Sequence, residues 1–185
     1  MIFKTITLHN LFCYDGKHPF DLLPSEADKE TCNIVVIMGR NGFGKTSFLN
    51  SVKLLFGGVT KELRHGAQRG NSLSEKAFVL GAKEWWGILN HQAKKRGEFD
   101  CYVEAVLIDE NHQEIIVKRG WNLRDDDYHN RIEVAAPRKP PLTGDNAQQY
   151  LSGLLPLDYI PFFFFDKFYL FHLRLSFLIL RGNPG

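Results

Sequence analysis

Gly39-Arg40-Asn41-Gly42-Phe43-Gly44-Lys45-Thr46 is a complete P-loop, the phosphate-binding pattern G-x-x-x-x-G-K-[ST]. Each part of it has a mechanical reason. The glycines let backbone amides close around a polyphosphate with no Cβ in the way, and the helix that follows aims its positive end at the same anion. Lys45 supplies a point charge to the β- and γ-phosphates, and the Thr46 hydroxyl is placed to ligate Mg²⁺. The flanks agree with this reading. Residues 33–38 (NIVVIM) form a short apolar run, as a buried parallel strand entering the loop should. Phe48, Leu49, Val52, Leu55 and Phe56 then recur at helical spacing over 46–56, and Gly57-Gly58 stops the helix. Nucleotide binding is the first expectation.

The bulk properties narrow the class. A chain of 185 residues fits one domain with a real core. Its 44% hydrophobic and 24% charged residues are ordinary for a globular protein, and a net charge of +2 selects no partner. Cys13, Cys32 and Cys101 are far apart and form no C-x-x-C, which argues against disulfides and zinc. The seven histidines are scattered, with no metal-ligand spacing. Residues 1–8 read as a strand rather than a signal peptide, so the expected compartment is the cytoplasm.

Along the chain, residues 1–8 and 17–22 read as strands around the Asp15-Gly16 turn. Residues 57–71 are Gly-rich and polar, a long loop. A helix is expected over 72–96, with Ser72 and Ser74 as candidate N-caps and Leu73, Ala77, Leu80, Trp85, Ile88 and Leu89 as its apolar face. Residues 98–109 and 114–121 alternate as a hairpin about a polar turn, and 131–135 adds a third strand. Residues 145–152 form a short helix ended by Gly153. Residues 57–96 carry Lys61, Arg64, Arg69, Lys76, Lys83, Lys94, Lys95 and Arg96 against Glu62, Glu75 and Glu84. That excess fits either a DNA-facing surface or a solvated face. Trp85-Trp86 fits base stacking, but helical spacing next to Leu89 puts at least one of them in the core.

The tail, 160–180, is almost unbroken in apolar character and about as long as a membrane span. Asp166, Lys167, His172 and Arg174 interrupt it, and a central charge costs roughly 2.5 to 3.5 kcal/mol on insertion scales. A buried strand at 160–165 is therefore preferred to a membrane helix. Phe162 to Asp166 has the shape of a Walker B strand, the hydrophobic run that delivers a Mg²⁺-holding carboxylate. Lys167 stands where a catalytic Glu would follow. Leu151-Ser152-Gly153 resembles the start of an LSGG signature, but Leu154 breaks it. It reads as a helix with a Gly C-cap.

Four features belong together: the strand ending Leu8-His9-Asn10-Leu11-Phe12, the early strand 17–22, the P-loop Met38 to Ser47, and the helix beginning Phe48-Leu49-Asn50-Ser51-Val52. Together they resemble the amino-terminal half of SMC/RecF-type ABC ATPase heads. Leu155-Pro156-Leu157-Asp158-Tyr159 with Phe162-Phe163-Phe164-Phe165-Asp166 is similar to the DNA phosphorothioation protein DndD and related anti-phage ATPases. The resemblance covers roughly residues 1–166. It implies an α/β fold, the amino-terminal lobe of a P-loop NTPase with an added antiparallel β-hairpin region. It also implies ATP and Mg²⁺ bound by Gly39, Arg40, Asn41, Gly42, Phe43, Gly44, Lys45, Thr46 and Ser47. Lys45 would be catalytic, and the region 10–14 would lie near the adenine and sugar. Asp166 would fall at the Q-loop and reach Mg²⁺ through water. The implied partners are a carboxy-terminal half of the head, a second head in a dimer, and DNA, with no membrane.

The departures carry information too. Lys167-Phe168 stands where the family has Gly-Glu, and no heptads, LSGG signature, Walker B, D-loop or switch His follow. The composition changes abruptly at that point, so 167–185 is expected to be a cloning artefact, a shifted reading frame or a natural truncation. Two other functional classes stand beside the half-head. One is a self-contained P-loop kinase or GTPase, against which the chain shows no N-K-x-D, no credible D-x-x-G and no Arg-rich lid. The other is a non-catalytic nucleotide-binding interaction module.

Overall fold

The computed structural model describes residues 1–23, 35, 37–38, 40–67, 72–160 and 164. Expectations placed on Gly39, Arg69, Asp166 and the tail 165–185 lie outside these residues. The frame is a six-stranded antiparallel sheet in the order β2-β1-β3-β4-β5-β6. Its strands are β1 (Ile2–His9), β2 (Lys17–Asp21), β3 (Asp100–Ile108), β4 (Glu114–Asn122), β5 (Arg131–Ala135) and β6 (Leu142–Thr143). Both early strands, the hairpin and the third strand therefore form as their alternation predicts. The hairpin is continuous with β1, not an appendage: Leu8 pairs with Val103, and Val103 with Arg119.

Period-two alternation decides which face is buried. On β3, Cys101, Val103, Ala105 and Leu107 are buried, and on β4 so are Ile115, Val117, Arg119 and Trp121. With Ile6 and Leu8 of β1 they form the inner face, against which α1 (Lys45–Gly57) and α5 (Gly144–Leu154) lie. Helix α1 contributes Phe48, Val52, Leu55 and Phe56, each at most 1% exposed. Burying each such side chain is worth about 1.5–3 kcal/mol. Gly58, in the left-handed region at φ 63°, closes α1 by donating its amide to Leu54 O, as the Gly pair predicts. The described residues also form the shorter helices α2 (Lys61–Ala67), α3 (Glu75–Leu80) and α4 (His91–Lys95).

Five expectations require correction. Val35, Ile37 and Met38 belong to no strand and are 52%, 38% and 87% exposed. Among the described residues no strand runs parallel to receive the segment, and a strand without neighbours leaves its backbone groups to water. The loop expected at 57–71 contains α2, started by Thr60, whose Oγ1 accepts from Leu63 N. The helix expected over 72–96 is two short ones. Gly81 (φ 105°) and Gly87 (φ 83°) break it, and a Cβ on Gly87 would stand 2.7 Å from Val79 O. Ser74 caps the first piece as predicted, and Asn90 caps the second. Finally, Gly153 lies inside α5, whose last residue is Leu154. Of the strand expected at 160–165, Ile160 is helical in conformation, and Phe164 N donates to Ile160 O, one helical turn.

Candidate nucleotide-binding site

The P-loop leads straight into α1, and the start of that helix is chemically bare. Its N-cap is Gly44, which has no side chain to cap with, and its first turn holds no acidic residue. The first amides of a helix have no intrahelical acceptor and carry the positive end of its dipole. Most helices satisfy them with Ser, Thr, Asp or Asn. An uncapped start at a Gly-rich turn is suited to an anion.

Gly44 is required for two separate reasons. Its φ of 89° is left-handed, and a Cβ there would meet Cys13 Sγ at 2.7 Å and Tyr14 Oη at 2.9 Å. The loop 10–16, between β1 and β2, therefore lies directly against the P-loop. Lys45 folds back across the turn and donates from Nζ to Arg40 O at 3.0 Å. Arg40, Asn41, Gly42, Phe43 and Thr46 are exposed, while Gly44, Lys45 and Ser47 are half-buried. The described members of the expected site thus adjoin one another at the start of α1, with Thr46 among the exposed ones.

Behind the P-loop stands an ionic clamp that sequence reading did not identify. Arg96 donates to Asp15 through both terminal nitrogens, at 3.0 and 2.6 Å, and to Glu98 through Nε at 3.0 Å. Hydrogen bonds from Arg96 hold both carboxyls below their ordinary range. Asn10, 1% exposed, donates to Glu98 Oε2 and accepts from Gly16 N, closing the base of the loop. Burial, together with the neighbouring Cys13, pushes the Tyr14 phenol up to about 12. Asp15 lies 81 residues from Arg96, and the pairing of β1 with β3 brings its loop to Arg96 and Glu98.

A second unforeseen residue supports the other end of α1. Arg119 is 3% exposed and donates to Leu55 O at 2.9 Å, to Asn130 Oδ1 and to Gln148 Oε1. Gln148 in turn donates to Phe56 O. A cation at a helix C-terminus complements the dipole. Burial pushes the guanidinium down to about 10, which still leaves it charged at neutral pH. The only sequence signal was a charge at an inward position of an alternating strand.

The basic excess of 57–96 is smaller than composition implies. Arg96 is engaged by carboxylates, and Arg64 donates to Leu73 O. Trp85 is half-buried against the core, stacked on Phe78 and donating to Phe78 O, whereas Trp86 is 77% exposed with its ring 4.9 Å from His91. Among the described residues no His, Cys, Asp and Glu cluster could hold a metal, and no helix is long and apolar enough to cross a membrane.

Residues 5–172 match the family described as AAA domain, over most of the chain. The chain is also similar to Structural maintenance of chromosomes protein 6 of Takifugu rubripes, 30% identical over 112 residues. That alignment covers 59% of this chain and 9% of its relative, so the chain spans a small part of that protein's length. The chain belongs to the AAA domain family, in which its P-loop and its likeness to an SMC protein mark it as an SMC-like ATPase nucleotide-binding domain.

Proposed function

We propose that the chain is the ATP-binding amino-terminal half of a cytoplasmic DNA-maintenance or DNA-defence ATPase head, SMC/RecF-like and of the DndD type. The observation that carries this is the bare start of α1 at Gly44, held open by a left-handed glycine whose Cβ would be excluded. On this reading the turn 39–47 takes the triphosphate, and Lys45 exchanges the Arg40 carbonyl for phosphate oxygens. Thr46 ligates Mg²⁺, and Asp166 reaches it through water. The ion neutralises charge developing on the phosphates. Hydrolysis waits for a carboxy-terminal half, with its signature and Walker B residues, and for a second head across the nucleotide. The exposure of Val35, Ile37 and Met38 supports this, because an apolar run leading into a P-loop is suited to a sheet interior.

Titration with Mg-ATP and Mg-GTP, followed by turnover measurements, tests the reading. ATP preference with negligible turnover is expected. Lys45→Ala should weaken binding by about 1.5–3 kcal/mol, because it removes a charged donor to the phosphates. Appreciable turnover by this chain alone overturns the half-head. Strong GTP selectivity would favour a kinase or GTPase, and no binding at all would leave an interaction module.

DNA contact in the full assembly is assigned to α4. His91, Lys94 and Lys95 stand at i, i+3 and i+4, hence on one helical face, beside exposed Trp86. Lys94→Ala with Lys95→Ala should lower the slope of log affinity against log salt by about one for each phosphate that is no longer neutralised. An unchanged slope removes α4 from the interface.

A further inference from the structure

The loop 10–16 is tied down more heavily than a β1–β2 connection requires. Asn10 N donates to Gly16 O, Phe12 N to Ile88 O at 2.7 Å, and Asn90 Nδ2 to Phe12 O at 2.9 Å. Arg96 holds Asp15 from a third direction. These bonds maintain two non-glycine residues, Asn10 at φ 47° and Phe12 at φ 54°, in left-handed conformations that cost free energy. The loop is therefore a preset strut, and it carries Tyr14 against the P-loop.

Tyr14 Oη donates to Gly44 O at 3.0 Å, and the same carbonyl accepts from Phe48 N at 2.8 Å. The phenol ring is fixed edge-on against Phe20, with centroids 5.7 Å apart, and Phe20 meets Phe48 of α1 in the same way at 4.9 Å. The Gly44–Lys45 peptide is a plane in which the C=O of Gly44 and the N–H of Lys45 point in opposite directions. Holding the carbonyl towards Tyr14 therefore holds the Lys45 amide away from it, on the side left open by the uncapped helix start. A glycine at φ 89° has no side chain of its own to fix that plane.

We propose that Tyr14 is a positioning residue of the nucleotide site: its hydroxyl fixes the Gly44–Lys45 peptide plane and so aims the Lys45 amide at a bound phosphate. The proposal rests on the reading that the P-loop binds a nucleotide polyphosphate. It makes the strut, rather than the P-loop alone, responsible for the preorganised shape of the turn.

The test compares Tyr14→Phe, Phe20→Leu and Lys45→Ala in the full chain, well below their melting temperatures. The readouts are Mg-ATP affinity and the backbone amide resonance of Lys45 without nucleotide. Tyr14→Phe keeps the ring and loses only the hydroxyl, so it should weaken Mg-ATP about 3- to 10-fold, the worth of one hydrogen bond. It should also shift the Lys45 amide before any nucleotide is added. Phe20→Leu loosens the ring stack but keeps the hydroxyl, and should move both readouts by less than Tyr14→Phe does. Native affinity and an unmoved Lys45 amide in Tyr14→Phe overturn the proposal, as does an equal loss in Phe20→Leu, which would make the effect one of packing. If the native chain and Lys45→Ala both fail to bind Mg-ATP, the nucleotide reading itself has failed. The Lys45 amide shift still reports on Tyr14 in that case.

Discussion

Arg119 shows how a single residue can join two layers of this fold. It sits on β4 between Val117 and Trp121, where alternation calls for an apolar side chain, and it reaches the last turn of α1 instead. Its acceptors are a helix carbonyl and two amide side chains, all neutral. The desolvated charge costs stability, and the three hydrogen bonds with the helix dipole offset it. Two effects compete in Arg119→Met. Removing a buried charge stabilises, while stranding the Leu55 carbonyl costs about 1–3 kcal/mol. Asn130 and Gln148 are only partly buried and can turn to water, so the stranded carbonyl decides the sign. Urea denaturation should show a net loss smaller than that full cost, about 1 kcal/mol, and a gain would mean that charge desolvation dominates. None of this was legible beforehand, because residues 55, 130 and 148 meet only after the sheet forms. The P-loop was legible because its pattern is local: Gly44, Lys45 and Thr46 are consecutive residues at the start of α1.

At the scale of elements, local pattern succeeded where it had a period and failed where glycine conformation intervened. The hairpin of β3 and β4 and the strand β5 follow from alternation. The supposed helix at 72–96 had apolar residues at suitable spacings, but Gly81 and Gly87 adopt left-handed conformations that end it. The ionic clamp belongs to this scale, since it ties loop 10–16 to the residues between α4 and β3. Asp15 and Glu98 both titrate below their ordinary values, chiefly through hydrogen bonds from Arg96. A carboxyl with a depressed folded pKa contributes stability that is present in full above its unfolded pKa and lost as pH falls through the folded one. The clamp should therefore be intact at neutral pH and weaken only below the ordinary carboxylate range. Amide exchange of residues 10–16, followed from neutral to strongly acid pH and corrected for its intrinsic pH dependence, should accelerate only at the acid end. In Arg96→Ala the excess protection should already be missing at neutral pH. The same profile in both proteins would show that the backbone bonds of the loop suffice without the clamp.

At the scale of the fold, the six-stranded sheet has its inner face covered by α1 and α5, while Val35, Ile37 and Met38 stay outside it. Composition and periodicity read 33–38 as a buried strand. They register what a segment is suited to, and take no account of whether its neighbours are supplied by the same chain. Val35 and Met38 are 52% and 87% exposed, so polar replacements there should change the stability of this chain by no more than about 0.5 kcal/mol, as at other surface sites. The proposed carboxy-terminal half changes the expectation. If that half supplies the neighbouring strands, both side chains become interior on association, and each loses about 1.5–3 kcal/mol of burial when made polar. Val35→Ser with Met38→Gln should therefore leave thermal melting of the chain almost unmoved while weakening its binding to a separately expressed carboxy-terminal half by at least about a hundredfold. Calorimetry on the pair and melting of the chain alone measure the two effects independently. Unweakened binding would place the segment outside that interface. A large fall in melting temperature would instead show that these side chains already support the fold described here.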